Sequence, residues 1–197
     1  MKRLISILMA LILTLMATGA MAGGWGVPSK ESGNTGTDTV QFTGIDVKLI
    51  DDLATRSGPS TSYTGCGSYR MRGQIVTALS RAYDHGGVLW IEIEFTYGGG
   101  YRRAWTGAKR LSINASQLAK IPEEDLYSYI GYGTLNTVTS PRFGPGSLYA
   151  TYGDRDFHRG DRVVVIAEVN SYYKTECSLS DGSILRSWIP ASAVNLD

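Results

Sequence analysis

Residues 55–63, "TRSGPSTSY", return 86 positions later as residues 141–149, "PRFGPGSLY". The identical positions of the two stretches are Arg56/Arg142, Gly58/Gly144, Pro59/Pro145 and Tyr63/Tyr149. A proline has a fixed φ and no backbone N–H, so it is excluded from the middle of a central strand. Each stretch is therefore predicted to be the exit of a strand into a loop.

The similarity extends well beyond this turn. "RGQIVTAL" at 72–79 matches "RGDRVVVI" at 159–166, and "LWIEIE" at 89–94 falls against "YYKTEC" at 172–177. "YRRAWTGAKRL" at 101–111 then falls against "ILRSWIPASAV" at 184–194, with Arg103/Arg186 and Trp105/Trp188 identical. Landmarks repeated in the same order indicate one small unit that occurs twice in the chain.

Both copies have the pattern of β-structure. Short apolar runs such as "IDVKLI" alternate with turn clusters such as "YGGGY" at 97–101, which is typical of an all-β unit. In "WIEIEF" at 90–95 the side chains alternate strictly. Ile91, Ile93 and Phe95 are expected to face a core, whereas Glu92 and Glu94, which share a face with Trp90, are expected to face solvent.

These landmarks resemble the bacterial SH3 family, known as SH3b. The motifs that carry the resemblance are "RSGPSTSY", an Arg-Gly before a Val/Ile strand, an aromatic strand, and a final Trp strand. The second copy diverges more, and the usual Gly before the last Trp is Ala104 in one copy and Ser187 in the other. The resemblance implies an all-β fold of two small SH3-like β-barrels in tandem, at 45–113 and 134–197.

The chain begins with an expected signal peptide at 1–22. Lys2 and Arg3 precede the apolar run "LISILMALILTLM", and "AMA" at 20–22 has the small-x-small form of a cleavage site. The alternative, a membrane anchor, needs about 20 apolar residues, more than this run holds. We therefore expect a secreted or cell-envelope protein without membrane insertion after removal of the signal.

Two further segments connect these parts. The Gly- and Ser-rich residues 23–44 read as a flexible N-terminal arm. Residues 114–133 form a linker with a short helix, in which Pro122 is expected in the first turn, followed by Glu123, Glu124 and Asp125 near the helix N-terminus.

The composition excludes some partners. Removal of 1–22 takes Lys2 and Arg3 from the 19 basic residues and leaves the 18 acidic ones, so the mature chain has a net charge of −1. Without a basic stretch, no nucleic acid partner is predicted.

No catalytic or metal-binding pattern stands out. His85, His158, Cys66 and Cys177 are the only residues of their two types, and they lack the spacing of a metal site or a nucleophile–base pair. We predict no enzymatic activity and no cofactor. Two cysteines in an exported chain permit a disulfide, and the sequence leaves open whether Cys66 and Cys177 pair.

The resemblance implies recognition of cell-wall peptidoglycan or related peptides in an aromatic groove. An adaptor or regulatory partner of an envelope enzyme is the alternative. Arg56 and Arg142 are candidates for ligand carboxylates or for structural salt bridges. Whether Trp105 and Trp188 line a groove or a core is left open. The candidate ligand-binding residues are Tyr63, Tyr69, Trp90, Trp105, Tyr149, Tyr152, Tyr173 and Trp188.

Overall fold

A computed structural model describes residues 44–153 and 155–197. The signal peptide predicted at 1–22 and nearly all of the arm predicted at 23–44 lie outside the described residues. The first sheet has seven antiparallel strands in the order β3-β2-β6-β5-β4-β1-β7 and curls into a half-barrel. Its strands are β1 (Ile45–Leu49), β2 (Leu53–Arg56), β3 (Gly65–Tyr69), β4 (Ile75–Tyr83), β5 (Leu89–Tyr97), β6 (Gly100–Gly107) and β7 (Leu111–Ser112).

The second sheet is open and has five antiparallel strands in the order β11-β10-β9-β8-β12. This order repeats the order β6-β5-β4-β1-β7 of the first sheet. The prediction of a β-rich chain is confirmed in this form, two antiparallel sheets of which one is a half-barrel. The strands are β8 (Gly131–Leu135), β9 (Arg162–Val169), β10 (Tyr172–Ser178), β11 (Ile184–Pro190) and β12 (Val194–Leu196).

The strand register corrects the alignment of the two copies by one residue. Glu92 pairs with Trp105 across β5 and β6, and Lys174 pairs with Trp188 across β10 and β11. Glu92 therefore corresponds to Lys174, and by the same ladder Trp90 corresponds to Tyr172, not to Tyr173. The sequence comparison missed this shift because it assumed equal spacing to the two tryptophans, whereas Trp105 lies 13 residues after Glu92 and Trp188 lies 14 residues after Lys174.

Each sheet has its own apolar core. Ile91, Ile93 and Phe95 lie in the core of the first sheet, as the alternation of "WIEIEF" predicted. The second core is built around Leu135, Val165, Leu185 and Ile189. Alternate side chains of each strand point to one core, which leaves the opposite face of each sheet for other contacts.

The linker holds a short helix, α1 (Ala115–Lys120), and not the helix predicted at Pro122. Asn114 and Gln117 form a reciprocal capping box at its start. Beyond α1 the chain runs beside β4, where Arg81 N donates to Pro122 O at 2.9 Å and Glu124 N donates to Arg81 O at 2.8 Å. Among the described helices, none has the length and apolar character needed to span a membrane.

Candidate ligand-binding site

An open cleft of about 830 Å³ lies on the first sheet. It is lined by the β2–β3 hairpin, by loop residues 84–88 with the start of β5, and by the 3-10 turn Ala108–Arg110. This volume is in the range of small-molecule and peptide sites. The cleft is larger than two other hollows among the described residues, which have volumes of about 560 Å³ and 400 Å³.

Trp90 and Asp84 fix one side of this cleft. The Trp90 indole Nε1 donates to the Asp84 carboxylate at 3.0 Å. The N–H groups of Gly86 and Val88 each donate to the same carboxylate at 2.9 Å. Donation from Trp90 is the main reason why the pKa of Asp84 lies below its ordinary value. The loop is thus held by its own aspartate, which stays ionised at neutral pH.

The 3-10 turn brings positive charge to the same cleft. Lys109 is exposed, and Arg110 donates to the Asp51 carboxylate at 2.9 Å and to Asp52 O at 2.7 Å. The β3 wall includes Gly65 and Gly67, which have no side chains to cover the backbone. Charges of both signs beside accessible backbone suit an extended peptide better than a purely apolar ligand.

The face of β5 and β6 that points away from the first core, and that also carries Trp90, packs on the second sheet through a reciprocal exchange of tyrosines. Tyr63, from the turn of the first copy, donates from its hydroxyl to Glu176 Oε1 at 2.6 Å. Tyr149, from the turn of the second copy, donates to Glu94 in a short hydrogen bond. Burial raises the pKa of both tyrosines above the ordinary value, so both stay protonated donors.

Each of these glutamates also accepts from an arginine of its own sheet. Arg103 Nε donates to Glu94 Oε2 at 2.6 Å, and Arg186 Nε donates to Glu176 Oε1 at 2.7 Å. The turn of each copy therefore supplies the tyrosine that completes a Glu–Arg pair of the other copy. Such reciprocity is the pattern of an isologous interface, here within one chain.

A cluster of four buried charges lies in the same interface. Lys174 Nζ lies 3.3 Å from Glu92 Oε1 and 2.8 Å from Glu124 Oε2. Arg186 Nη1 donates to Glu124 Oε1 at 2.6 Å. The expectation that Glu92 and Glu94 face solvent is wrong, since only 7% and 2% of their surfaces are exposed. Lys174 of the second sheet covers Glu92, and Tyr149 covers Glu94 beside Arg103. One strand alone cannot reveal these partners.

The eight candidate aromatic residues do not form one groove. Trp90 is mostly buried but lines the cleft on the first sheet. Tyr63, Tyr152 and Tyr173 are half-buried. The remaining four are buried and present almost no surface to a ligand, because they pack in a core or between the two sheets: Tyr69, Trp105, Tyr149 and Trp188. Trp105 and Trp188 are therefore interior residues.

The two arginines of the repeated turn hold the turn itself. Arg56 Nη1 donates to Tyr63 O at 2.6 Å, and Arg142 Nη1 donates to Tyr149 O at 2.8 Å. These are hydrogen bonds to backbone carbonyls and not the salt bridges expected as the structural alternative. Arg56 also lines the cleft.

Sequence reasoning missed Asp84, Lys109 and Arg110. Asp84 stands in "YDHGG", in which an aspartate two residues before a Gly-Gly pair is a signal for a side chain that bonds its own loop backbone. That loop is longer in the first copy than in the second. This difference in loop length was a signal in the sequence for a specialised surface. Nothing in the local sequence distinguished Lys109 and Arg110 from other surface charges.

The two cysteines are free thiols in the structure. Cys66 Sγ lies 3.8 Å from the Tyr152 hydroxyl. Burial raises the pKa of Cys66 to about 12 and that of Cys177 to about 11, which keeps both thiols neutral. In the part of the chain that the structure describes, no group of His, Cys, Asp and Glu is placed to hold a metal ion.

Comparison of the chain with protein-family models, curated proteins and solved structures gives no match.

Proposed function

We propose that this is an exported, non-catalytic binding protein that recognises cell-wall peptidoglycan or related peptides in the cleft of the first sheet. The observation that carries the proposal is the cleft itself. It combines a fixed loop, an aromatic residue, charges of both signs and glycine-lined backbone in about 830 Å³. The cell-wall ligand and the extracytoplasmic location rest on the SH3b resemblance and on the signal peptide pattern of the sequence.

In this proposal, each copy is an SH3-like β-barrel. The strand order supports it, because β1 lies between β4 and β7, and β8 lies between β9 and β12. The first and last strands of each copy are thereby hydrogen-bonded neighbours. The first sheet is already curled into a half-barrel.

Recognition would be non-covalent docking of an extended peptide. β3 ends the strand order of the first sheet and lines the cleft with Gly65, Gly67 and Ser68. An extended ligand beside this edge forms main-chain hydrogen bonds, and its side chains and charged groups meet Trp90, Asp84 and Lys109. The second copy acts as a buttress, because its Tyr149 and Lys174 stabilise the face of β5 that also carries Trp90.

Co-sedimentation of residues 23–197 with purified peptidoglycan tests this function. We expect the protein in the pellet, and we expect Lys109→Glu to weaken binding by about tenfold, because a cation of the cleft becomes an anion. Lys120→Glu is the matched control, since Lys120 is also exposed but lies in α1, outside the cleft. Equal sedimentation of both variants, or a folded protein that remains in the supernatant, would overturn the proposal.

One observation favours an adaptor as the second candidate. Four large residues between 127 and 132 are exposed, Tyr127 to 76% and the others to more than half. The rings of Tyr129 and Tyr132 lie 5.7 Å apart. Clustered exposed aromatic residues are typical of protein interfaces. Binding to a purified envelope enzyme that is lost in Tyr127→Ser, with no binding to peptidoglycan, would favour the adaptor.

A further inference from the structure

The second sheet has a cavity of its own, of about 560 Å³, beside the core of the second copy. Phe157, Val163 and Leu185 are buried residues of its lining, and Cys177 and Leu179 pack against them. Charged residues of 155–162 surround these apolar residues. The cavity is separate from the cleft on the first sheet, and the inference below does not depend on the proposed function.

The corresponding place in the first sheet is filled by aromatic rings. Tyr69 packs edge-on against Phe95 with ring centroids 5.2 Å apart and against Tyr97 with centroids 4.5 Å apart. These contacts close the end of the first core, to which Tyr69 and Phe95 belong. Rings of this size leave little space between β3 and the end of β5.

The strand ladders identify the residues that replace these rings in the second copy. Glu94 pairs with Arg103 as Glu176 pairs with Arg186, so the next residues, Phe95 and Cys177, correspond. By the same register Tyr97 corresponds to Leu179. The benzyl group of Phe95 is thus replaced by the thiol of Cys177, and the phenol of Tyr97 by the isobutyl group of Leu179.

The third ring is retained. Phe157 pairs with Thr139 in an isolated antiparallel β-bridge. Tyr69 pairs with Leu53 in the same way between β3 and β2. Phe157 therefore corresponds to Tyr69 and remains buried. Loss of two rings around one that stays creates apolar space with an aromatic wall, and the second copy has not refilled it.

The charged residues around the cavity favour a ligand with an anionic group. Asp156 accepts from Ser140 Oγ at 2.5 Å, and Asp161 accepts from His158 N at 2.8 Å. Arg162 is paired with Asp197. Arg155 also lines the cavity, is exposed, and forms no salt bridge within the described residues. Its charge also acts on Asp181 and on the Cys177 thiol, which makes Arg155 the candidate cation for a ligand anion.

We propose that this cavity is a second binding site, which takes a small amphipathic molecule with an apolar, ring-sized body and one anionic group. The body occupies the space left by the two lost rings, against Phe157 and Cys177. The anion pairs with Arg155. Burial keeps the Cys177 thiol neutral at pH 7, since its pKa is raised to about 11, so the thiol acts as part of the apolar wall.

Titration of residues 23–197 with anilinonaphthalene sulfonate, an aromatic anion whose fluorescence rises in apolar sites, tests the proposal. We expect one molecule bound per chain. Cys177→Phe restores the ring of the first copy and should weaken binding by at least about tenfold. Cys177→Val, the matched control, keeps the volume near that of cysteine and should change binding by less than about twofold. Unchanged binding by Cys177→Phe with a native circular dichroism spectrum would overturn the site.

Two further measurements do not depend on how well Cys177→Phe folds. In a Cys66→Ser background, Cys177 is the one remaining thiol, and saturating probe should slow its alkylation. An alkylation rate that the probe leaves unchanged would contradict the proposal. Arg155→Glu should weaken the sulfonate about threefold or more but leave its uncharged parent amine unaffected. An equal loss for both probes would contradict the role of the anion.

Discussion

Gly58 and Gly144 are glycine because of the tyrosine that follows in the same turn. A Cβ atom on Gly58 would lie 2.2 Å from the Tyr63 ring, and one on Gly144 would lie 2.1 Å from the Tyr149 ring. The ring cannot retreat without withdrawing its hydroxyl from the glutamate of the other sheet. The glycine of the repeated turn therefore controls a contact between the two copies.

At the residue scale, Gly58→Ala and Gly144→Ala should each lower the free energy of unfolding by about 2–3 kcal/mol, because the methyl group displaces the tyrosine. Urea unfolding measures the change. Gly131→Ala is the control, since a Cβ there meets nothing within 4 Å. A cost equal to that of the control would contradict this account of the turn.

Removal of a single hydroxyl tests the exchanged tyrosines directly. Tyr149→Phe should lower the free energy of unfolding by about 1–3 kcal/mol, because it removes a hydrogen-bond donor from buried Glu94. The Oε1 atom of Glu94 already has no hydrogen-bond partner. Tyr63→Phe should cost less, since Glu176 is less buried. Tyr132→Phe, at an exposed ring, is the control for both. The reverse order of the two losses in chemical unfolding would contradict the prediction.

At the scale of the element, β5 shows which part of the structure could be predicted from the sequence and which could not. The alternation in "WIEIEF" predicted its core face correctly, because periodicity reports which residues share a face. The surroundings of the other face depend on Lys174, which is 82 residues from Glu92, and on Tyr149, which is 55 residues from Glu94. No local pattern identifies that pairing. The cleft was missed for the same reason, since three separate segments build it.

The linker helix was predictable, but from another signal. Asn114 followed by Gln117 is a capping box and marks the start of α1 more specifically than Pro122 does. The acidic run after Pro122 has another role, since Glu124 is buried against Lys174 and Arg186. This segment connects the two copies along the chain and also stabilises the interface between them.

Glu124→Gln tests this role of the linker. Burial alone would raise the pKa of Glu124, but Lys174 and Arg186 outweigh it and hold the pKa below the ordinary value. A carboxylate with a lowered folded-state pKa stabilises above its unfolded pKa of about 4.3, and this contribution is lost as the pH falls through the folded value. The free energy of unfolding of the wild type should therefore exceed that of Glu124→Gln by about 3–5 kcal/mol at pH 7.

Urea unfolding of both proteins as a function of pH measures this difference, which should shrink at acid pH. Glu123→Gln is the control, because Glu123 is half-exposed and pairs with Arg81 at the surface. A stability difference between wild type and Glu124→Gln that does not vary with pH would contradict the prediction.

At the scale of the whole molecule, the two sheets stabilise each other. The turn of each copy completes the Glu–Arg pair of the other, and the buried charges join both sheets to the linker. A domain of about 60 residues has a marginal core when it folds alone. The shared interface supplies the burial that each copy lacks.

Unfolding should therefore be one cooperative transition. Tryptophan fluorescence and far-ultraviolet circular dichroism should give coincident denaturation curves. Lys174→Met should lower the free energy of unfolding by about 3 kcal/mol and keep a single transition, because Glu92 and Glu124 lose their shared cation. Lys48→Met, at an exposed position of β1, is the control. Two resolved transitions in the wild type would show that the copies fold independently.

The pairing of Glu92 with Lys174 limits the ways in which this chain can be rebuilt. These two residues hold the same place in the two copies and meet each other at 3.3 Å. In a dimer of identical chains, this place would set a residue against its own duplicate, carboxylate on carboxylate or ammonium on ammonium. Within one chain the two places can carry opposite charges, so the two halves form a matched, non-interchangeable pair. A chain with the first copy in both places would set two glutamates against each other at its centre.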